Sequence, residues 1–219
     1  MKRFVVVGLG IFGSTIAEAL HETGDEVLAV DMAGKAVDRL ARHATRAAVG
    51  DAREVETLER LGAKDADAAI VSTGDDISAS ILAVMALQDL GVKDIYVKVI
   101  SADHARVMKK IGVTLTVFPE HDSANNLANL VTHSKSLLNY IRLGEGFGVQ
   151  EMAVPAAWEG KPLRDLELRQ RFGVSVVAVR DVLTDQIVTI PAPDAELKVS
   201  DALLVAGRDE DLARVAGLK

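Results

Sequence analysis

Cysteine is absent from the 219 residues, so disulfides, thiolate metal sites and cysteine nucleophiles are all excluded. That absence agrees with a reducing cytosol. An excess of basic residues is also lacking: 25 Lys plus Arg stand against 32 Asp plus Glu, a formal net charge of −7. Lys2-Arg3 and Lys109-Lys110 are the only adjacent basic pairs. This balance argues against grip on a phosphate backbone, and no nucleic acid partner is expected. Long apolar runs are missing as well. The longest stretch without a charge, residues 4–17, carries three glycines and falls short of the roughly 18 residues of a membrane-spanning helix. The amino-terminal Met-Lys-Arg-Phe-Val-Val-Val reads as the start of a strand, without a separate signal segment. A soluble cytoplasmic protein that meets a membrane only through a partner is the expectation. Proline is scarce at the front: Pro119 alone lies in the first 150 residues, and Pro155, Pro162, Pro191 and Pro193 follow. The architecture is therefore expected to change near residue 145.

Before that point, β-branched runs at 4–7, 26–30, 46–49, 68–72, 94–99 and 114–118 alternate with helical patterns at 11–22, 35–43, 53–61, 77–90 and 102–111. Six strands alternating with five helices predict an α/β fold, a Rossmann-type doubly wound parallel sheet covered on both faces. Gly24, Gly91 and Gly112 stand where helices should stop. Residues 120–141 read as a longer amphipathic helix, with Leu127, Leu130, Val131, Leu137, Leu138 and Ile141 on one stripe. Such a stripe packs either on the chain's own sheet or on another subunit. Leu143 to Gly148 reads as a hinge. Beyond it a small α+β domain is expected, with strands at 149–154, 174–180, 186–190 and 202–206 and helices at 163–172 and from 210. The expected domains are thus 1–143, including the helix at 120–141, and 144–219.

Gly8-Leu9-Gly10-Ile11-Phe12-Gly13 follows the first strand and opens the first helix, and Asp31 ends the second strand 18 positions after Gly13. That register is the pattern of a dinucleotide site. Gly8 permits the tight turn, Gly10 admits a phosphate to the backbone amides, and Gly13 lets helix and strand lie close. The phosphate gains from the helix N-terminus. Asp31 can accept both ribose hydroxyls, and its neighbour Met32 offers no cation for a 2′-phosphate, which disfavours NADP. The later strand ends should complete the pocket. Asp51 and Ala52 follow the third strand, with Asp51 suited to the adenine amino group, and Thr73-Gly74 offers a backbone platform beside the base. Lys98 reads either as a phosphate counter-charge or as a solvated lysine. Glu120 reads either as an acid favoured by a helix dipole or as a ligand for a hard divalent cation. Tyr-x-x-x-Lys, GxSxG, HExxH and GxxxxGK[ST] are all missing, and the five histidines have no ligand spacing. Nucleotide binding without chemistry is the resulting expectation. An NAD-dependent oxidoreductase with an unrecognised catalytic site is the alternative.

Several segments together resemble the cytosolic regulatory subunits of Trk/Ktr potassium uptake systems, the KtrA/TrkA family. They are Val5 to Gly13, Val27 to Asp31, Gly50-Asp51-Ala52, Tyr96-Val97-Lys98, Phe118-Pro119-Glu120 and Leu138 to Ile141. Gly160 to Leu163 and Asp201 to Gly207 resemble the family's C-terminal domain. The resemblance implies an RCK-type (regulator of K⁺ conductance) assembly: dimers joined through a crossover helix into an octameric ring beneath a KtrB/TrkH-like membrane channel or transporter subunit. It implies an adenine nucleotide, ATP/ADP or NAD/NADH, with ribose on Asp31, adenine near Asp51, Ala52, Thr73 and Gly74, and phosphate on the loop from Gly8 through Ile11 and Phe12 to Gly13. Charge near Lys98 and Mg²⁺ or Ca²⁺ on Glu120 are implied in the same way. Family members usually carry Arg where this chain has Ile11, which favours ADP, AMP or NAD over ATP. Some members bind cyclic di-AMP at the C-terminal domain, where Arg169 and the 174–179 strand would take part or else form plain dimer core.

Overall fold

Runs of consecutive apolar residues, rather than alternating ones, mark strands buried on both faces. The first such strand is β1 (Arg3–Val7), and a computed structural model places it at the centre of a sheet. The structure describes residues 1–132, 137–144 and 146–218 and divides into two compact units, Met1–Glu120 and His121–Lys219.

In the first unit β1 is followed by α1 (Ile11–Glu22), β2 (Glu26–Asp31), α2 (Gly34–Leu40), β3 (Arg46–Val49) and α3 (Val55–Leu61). Then come β4 (Ala68–Val71), α4 (Ile77–Asp89), β5 (Asp94–Lys98), α5 (Ala102–Ile111) and β6 (Leu115–Val117). The strands are all parallel in the order β3-β2-β1-β4-β5-β6, so the winding reverses between β1 and β4. Alternate residues of β1 feed opposite faces. Val5 and Val7 join Leu58, Leu87, Ile95 and Met108 on one, and Val6 joins Leu9, Ala17, Val27 and Leu40 on the other. The expected α/β doubly wound fold is therefore the fold observed. Local chemistry sets the helix ends: the Asp76 carboxylate accepts Ala79 N–H at 2.8 Å to start α4, and Ser101 Oγ accepts His104 N–H at 3.1 Å to start α5.

In the second unit α6 (Pro119–Thr132), which begins at the boundary, precedes β7 (Leu137–Gly144), β8 (Phe147–Ala153) and α7 (Leu168–Phe172). β9 (Ser175–Asp181), β10 (Gln186–Thr189), β11 (Asp201–Arg208) and α8 (Asp209–Ala216) complete it. Its strands are antiparallel in the order β10-β9-β11-β8-β7. Met152, Trp158, Leu166, Leu203, Val205 and Leu212 form its core. The Trp158 and Phe172 rings lie tilted, 6.2 Å apart.

Four expectations are corrected here. The helix expected through Ile141 ends at Thr132, and Leu137–Gly144 is a strand whose backbone pairs with β8, Tyr140 opposite Gln150 and Ile141 opposite Val149. Tyr140 packs against the second core and donates its hydroxyl hydrogen to Asp209 Oδ1 at 2.7 Å, which the strand direction allows. The stripe therefore splits: Leu127 and Val131 lie exposed on α6, and Leu138 and Ile141 lie exposed on β7. The side chains of Leu130 and Leu137 fall outside the described residues. The hinge expected at Leu143 to Gly148 is instead a hairpin connection in which Gly144 pairs with Phe147 and Gly146 takes φ +70. Because β7 belongs to the second sheet, the units divide after Glu120 and not after residue 143. The helix expected at 163–172 is a 3-10 turn at Leu163–Leu166 followed by α7, with Glu167 at φ 46 between them.

Candidate functional site

The carboxyl ends of β1 and β4 part where the winding reverses, and such a crevice is where ligands bind in open parallel sheets. The loop after β1 is shaped by three glycines with different reasons for being glycine. Gly8 has φ +84, and a Cβ there would lie 2.0 Å from Ser72 O. A Cβ on Gly13 would lie 1.9 Å from Gly8 O, so α1 can approach β1 only without it. Gly10 is different: a Cβ there meets no protein atom within 4 Å, and the space beyond it is open. The amides at the start of α1 face that space, a ready anion cradle.

Asp31 is held in place by this loop. Its Oδ2 accepts Leu9 N–H at 2.6 Å and its Oδ1 accepts Ala33 N–H at 2.7 Å, leaving its remaining lone pairs to the crevice. The crevice is a cavity of about 330 Å³. Of the residues expected at the site, Gly8, Gly10, Asp31, Met32, Asp51, Ala52, Thr73 and Gly74 line it. Five do not. Gly13 lies behind the loop, Phe12 packs into the core on the α1 face, and Ile11 is 92% exposed. Lys98, expected near phosphate, and Glu120, expected to hold a cation, instead bind each other at 2.5 Å. That hydrogen bond holds the Glu120 carboxyl below the usual carboxylate range.

Arg53 lines the cavity and was not expected there; Asp76, in the run after β4 expected to complete the pocket, lines it too. Arg53 turns back on Asp51: its Nε lies 2.9 Å from both carboxylate oxygens, its Nη2 lies 2.5 Å from Oδ2, and its backbone N–H reaches Oδ1 at 3.0 Å. The pairing holds Asp51 below the usual carboxylate range. The run Gly-Asp-Ala-Arg carried the signal, an acid and a base two residues apart at a strand end, where an Asx turn brings them together. Asp51, expected to take the adenine amino group, thus already has a partner. Elsewhere, His104 on α5 is 1% exposed, and neither ring nitrogen has a hydrogen-bond partner among the described residues. Burial pushes its pKa down. Among the described residues no three His, Asp or Glu groups gather as a metal site.

A doubly wound sheet with a glycine loop and an acid at the end of β2, followed in the chain by a small antiparallel unit, defines a Rossmann-type protein with an appended second domain. Comparison with known proteins narrows this. Residues 4–119 match the TrkA-N domain family and residues 149–218 the TrkA-C domain family. The chain is 35% identical to Ktr system potassium uptake protein C of Bacillus subtilis (strain 168), covering 97% of this chain and 95% of that protein. It is 33% identical to Ktr system potassium uptake protein A of Vibrio alginolyticus over the same shares of the two chains. Among solved structures it resembles the GsuK channel bound to NAD at 25% identity and TM-score 0.56, covering 97% of this chain and 37% of that one. It also resembles the GsuK RCK domain at 25% and 0.55, covering 96% and 45%. The chain spans less than half the length of those two structures. It belongs to the TrkA family and carries the N and C domains in that order.

Proposed function

We propose that this chain is the nucleotide-sensing regulatory subunit of a potassium uptake system, binding an adenine nucleotide at the carboxyl edge of the first sheet. The observation that carries the reading is the pairing of Gly10, open to a phosphate, with Asp31, whose carboxylate is pinned beside the same cavity. The ligand's phosphates would lie on the amides at the start of α1 and its ribose hydroxyls on Asp31. The cavity holds three carboxylates, Asp31, Asp51 and Asp76, against one cation, Arg53, and Ile11 supplies no charge at the loop. That balance favours NAD, NADH or ADP, with fewer phosphate charges, over ATP. The relative captured with NAD supports the same choice.

Mg²⁺ or Ca²⁺ at Glu120 fits the residues poorly: its Oε1 already accepts Lys98 Nζ, and among the described residues no cluster of acids or histidines gathers to share a cation. Regulation rather than turnover is supported by the potassium uptake proteins that match over nearly their whole length. The partner is a membrane channel or transporter subunit of KtrB/TrkH type. A homo-oligomer, dimers forming an octameric ring, would sit against it at the cytoplasmic face. Cyclic di-AMP at the second unit rests on the family resemblance alone; Arg169 Nη2 there donates to Ser175 Oγ at 3.4 Å.

Each charge-assisted bond from Asp31 to a ribose hydroxyl contributes on the order of 1.5–3 kcal/mol. Asp31→Ala should therefore weaken binding of ADP and NAD at least tenfold in calorimetry, and unchanged affinity would move the ligand out of this cavity. Incubation with NAD and candidate substrates separates the oxidoreductase reading: a change in nicotinamide absorbance would favour turnover.

A further inference from the structure

Arg53 is the one cationic side chain among the described residues of the cavity, and what it does follows from how it is held. Given the nucleotide reading above, on which this rests, the lining residues come from elements of different chemistry. Gly8, Gly10 and Asp31 bring amides and a carboxylate from the loop after β1 and the end of β2, whereas Ala52 lies in the turn ahead of α3 and Ala79 and Ala83 lie on α4, which packs on α3. With phosphates and ribose on the first group, the base falls to the second. Arg53 belongs to the same turn as Ala52, and its guanidinium feels the field of Asp76 at the start of α4.

The Nε and Nη2 edge of the guanidinium is spent on Asp51, and Asp76 and Glu54 add further negative charge around it. That surrounding negative charge disfavours a phosphate on the remaining Nη1, and the planar face of the pinned group is left to stack on a heteroaromatic ring. Asp51 in turn accepts from the Arg53 backbone N–H, Nε and Nη2, which occupies its carboxylate. We propose that Arg53 is the base-stacking residue of the cavity, and that Asp51 is a positioning residue that acts on the ligand only by holding the guanidinium flat.

Calorimetry on the full chain with adenosine, AMP, ADP, NAD and inosine monophosphate tests this, with circular dichroism checking that each variant stays folded. The Arg53 side chain is 41% exposed, so its truncation leaves the core intact. Arg53→Ala should weaken adenosine, AMP, ADP and NAD by a similar factor, about tenfold. Arg53→Tyr, which restores a planar face, should recover most of the loss, and Arg53→Lys should not. Asp51→Asn should weaken binding by a smaller factor when Arg53 is present and by nothing further in the Arg53→Ala background. A loss that grows with the number of phosphates would overturn the proposal by placing Arg53 on phosphate. So would an Asp51→Asn loss that persists without Arg53 and spares inosine monophosphate, since that would put the base amino group on Asp51. Unaltered protein that binds ADP or NAD while Arg53→Ala binds equally well sinks the stacking role alone. Unaltered protein that binds none of the five compounds sinks the nucleotide reading and the stacking role together.

Discussion

The two sheets of this molecule are finished in opposite ways. In the parallel sheet, β1 and β4 are covered by helices on both faces, and Val5, Val6, Ala69 and Val71 are 0% exposed. In the antiparallel sheet, Met152, Leu203 and Val205 are equally buried, yet Val177, Ile187 and Val188 are 42–57% exposed. Burial on both faces leaves a parallel sheet only its edges for function, and its carboxyl edge is where Gly8, Asp31, Asp51 and Thr73 converge. An antiparallel sheet has no such shared edge. What it exposes is apolar area, the currency of contact with another protein surface. The ligand chemistry thus gathers in the first unit, whose sheet exposes the apolar side chains of Val49 on β3 and Leu115 on β6, its edge strands, whereas the second unit exposes them on β9 and β10.

The sharpest way to break that contrast is to attack the loop that makes the parallel edge a site. Gly13→Ala drives a Cβ to 1.9 Å from Gly8 O, and backbone cannot move aside cheaply. The first unit should lose more than about 4 kcal/mol, read by denaturant unfolding. Gly10→Ala, with nothing within 4 Å, should leave stability nearly unchanged while nucleotide affinity falls. Equal destabilisation by both would mean that the loop is shaped by packing alone.

Next in size is a lesion confined to the other unit. Trp158 is 7% exposed, packed in the second core against Phe172, and Trp158→Ala should cost that unit about 3 kcal/mol or more. Affinity for ADP or NAD should survive, because no residue of the second core lines the cavity. Loss of binding in the folded variant would show that the division of labour is wrong.

The smallest effect concerns His104. Burial disfavours its charged form, so its folded pKa lies below the unfolded value and the unfolded chain binds the extra proton. Stability from this group is whole above about pH 6.5 and is lost as pH falls through the folded value. The denaturation midpoint of the first unit should decline between pH 7.5 and 5.5, and His104→Met should flatten that decline.

The same division explains how much could be read from the sequence. The first unit was legible because its signals are local: unbroken apolar runs for strands, glycines at fixed spacing, and an acid at the end of β2. Eight of the residues expected at the site line the cavity. Phe12 and Gly13 face away because the helix turns them toward the core, and Ile11 because it points to solvent. Lys98 and Glu120 were assigned to a ligand separately, whereas β5 and the start of α6 bring them to each other. The second unit was less legible. Apolar residues between Leu127 and Ile141 look like one helical stripe, but Leu137, Leu138 and Ile141 belong to a strand that pairs with β8, a contact that local periodicity does not contain.

A nucleotide can shift a conformational equilibrium only by binding one state better than the other, so on the proposed regulatory role occupancy of this cavity is visible in transport. Potassium flux through vesicles carrying the membrane subunit with this chain bound, with ADP and NAD titrated in turn, tests that most directly. Flux should change with nucleotide, and Asp31→Ala should move the response to at least tenfold higher concentration. Flux that stays the same with and without adenine nucleotide, while calorimetry shows the cavity filled, would contradict the regulatory role.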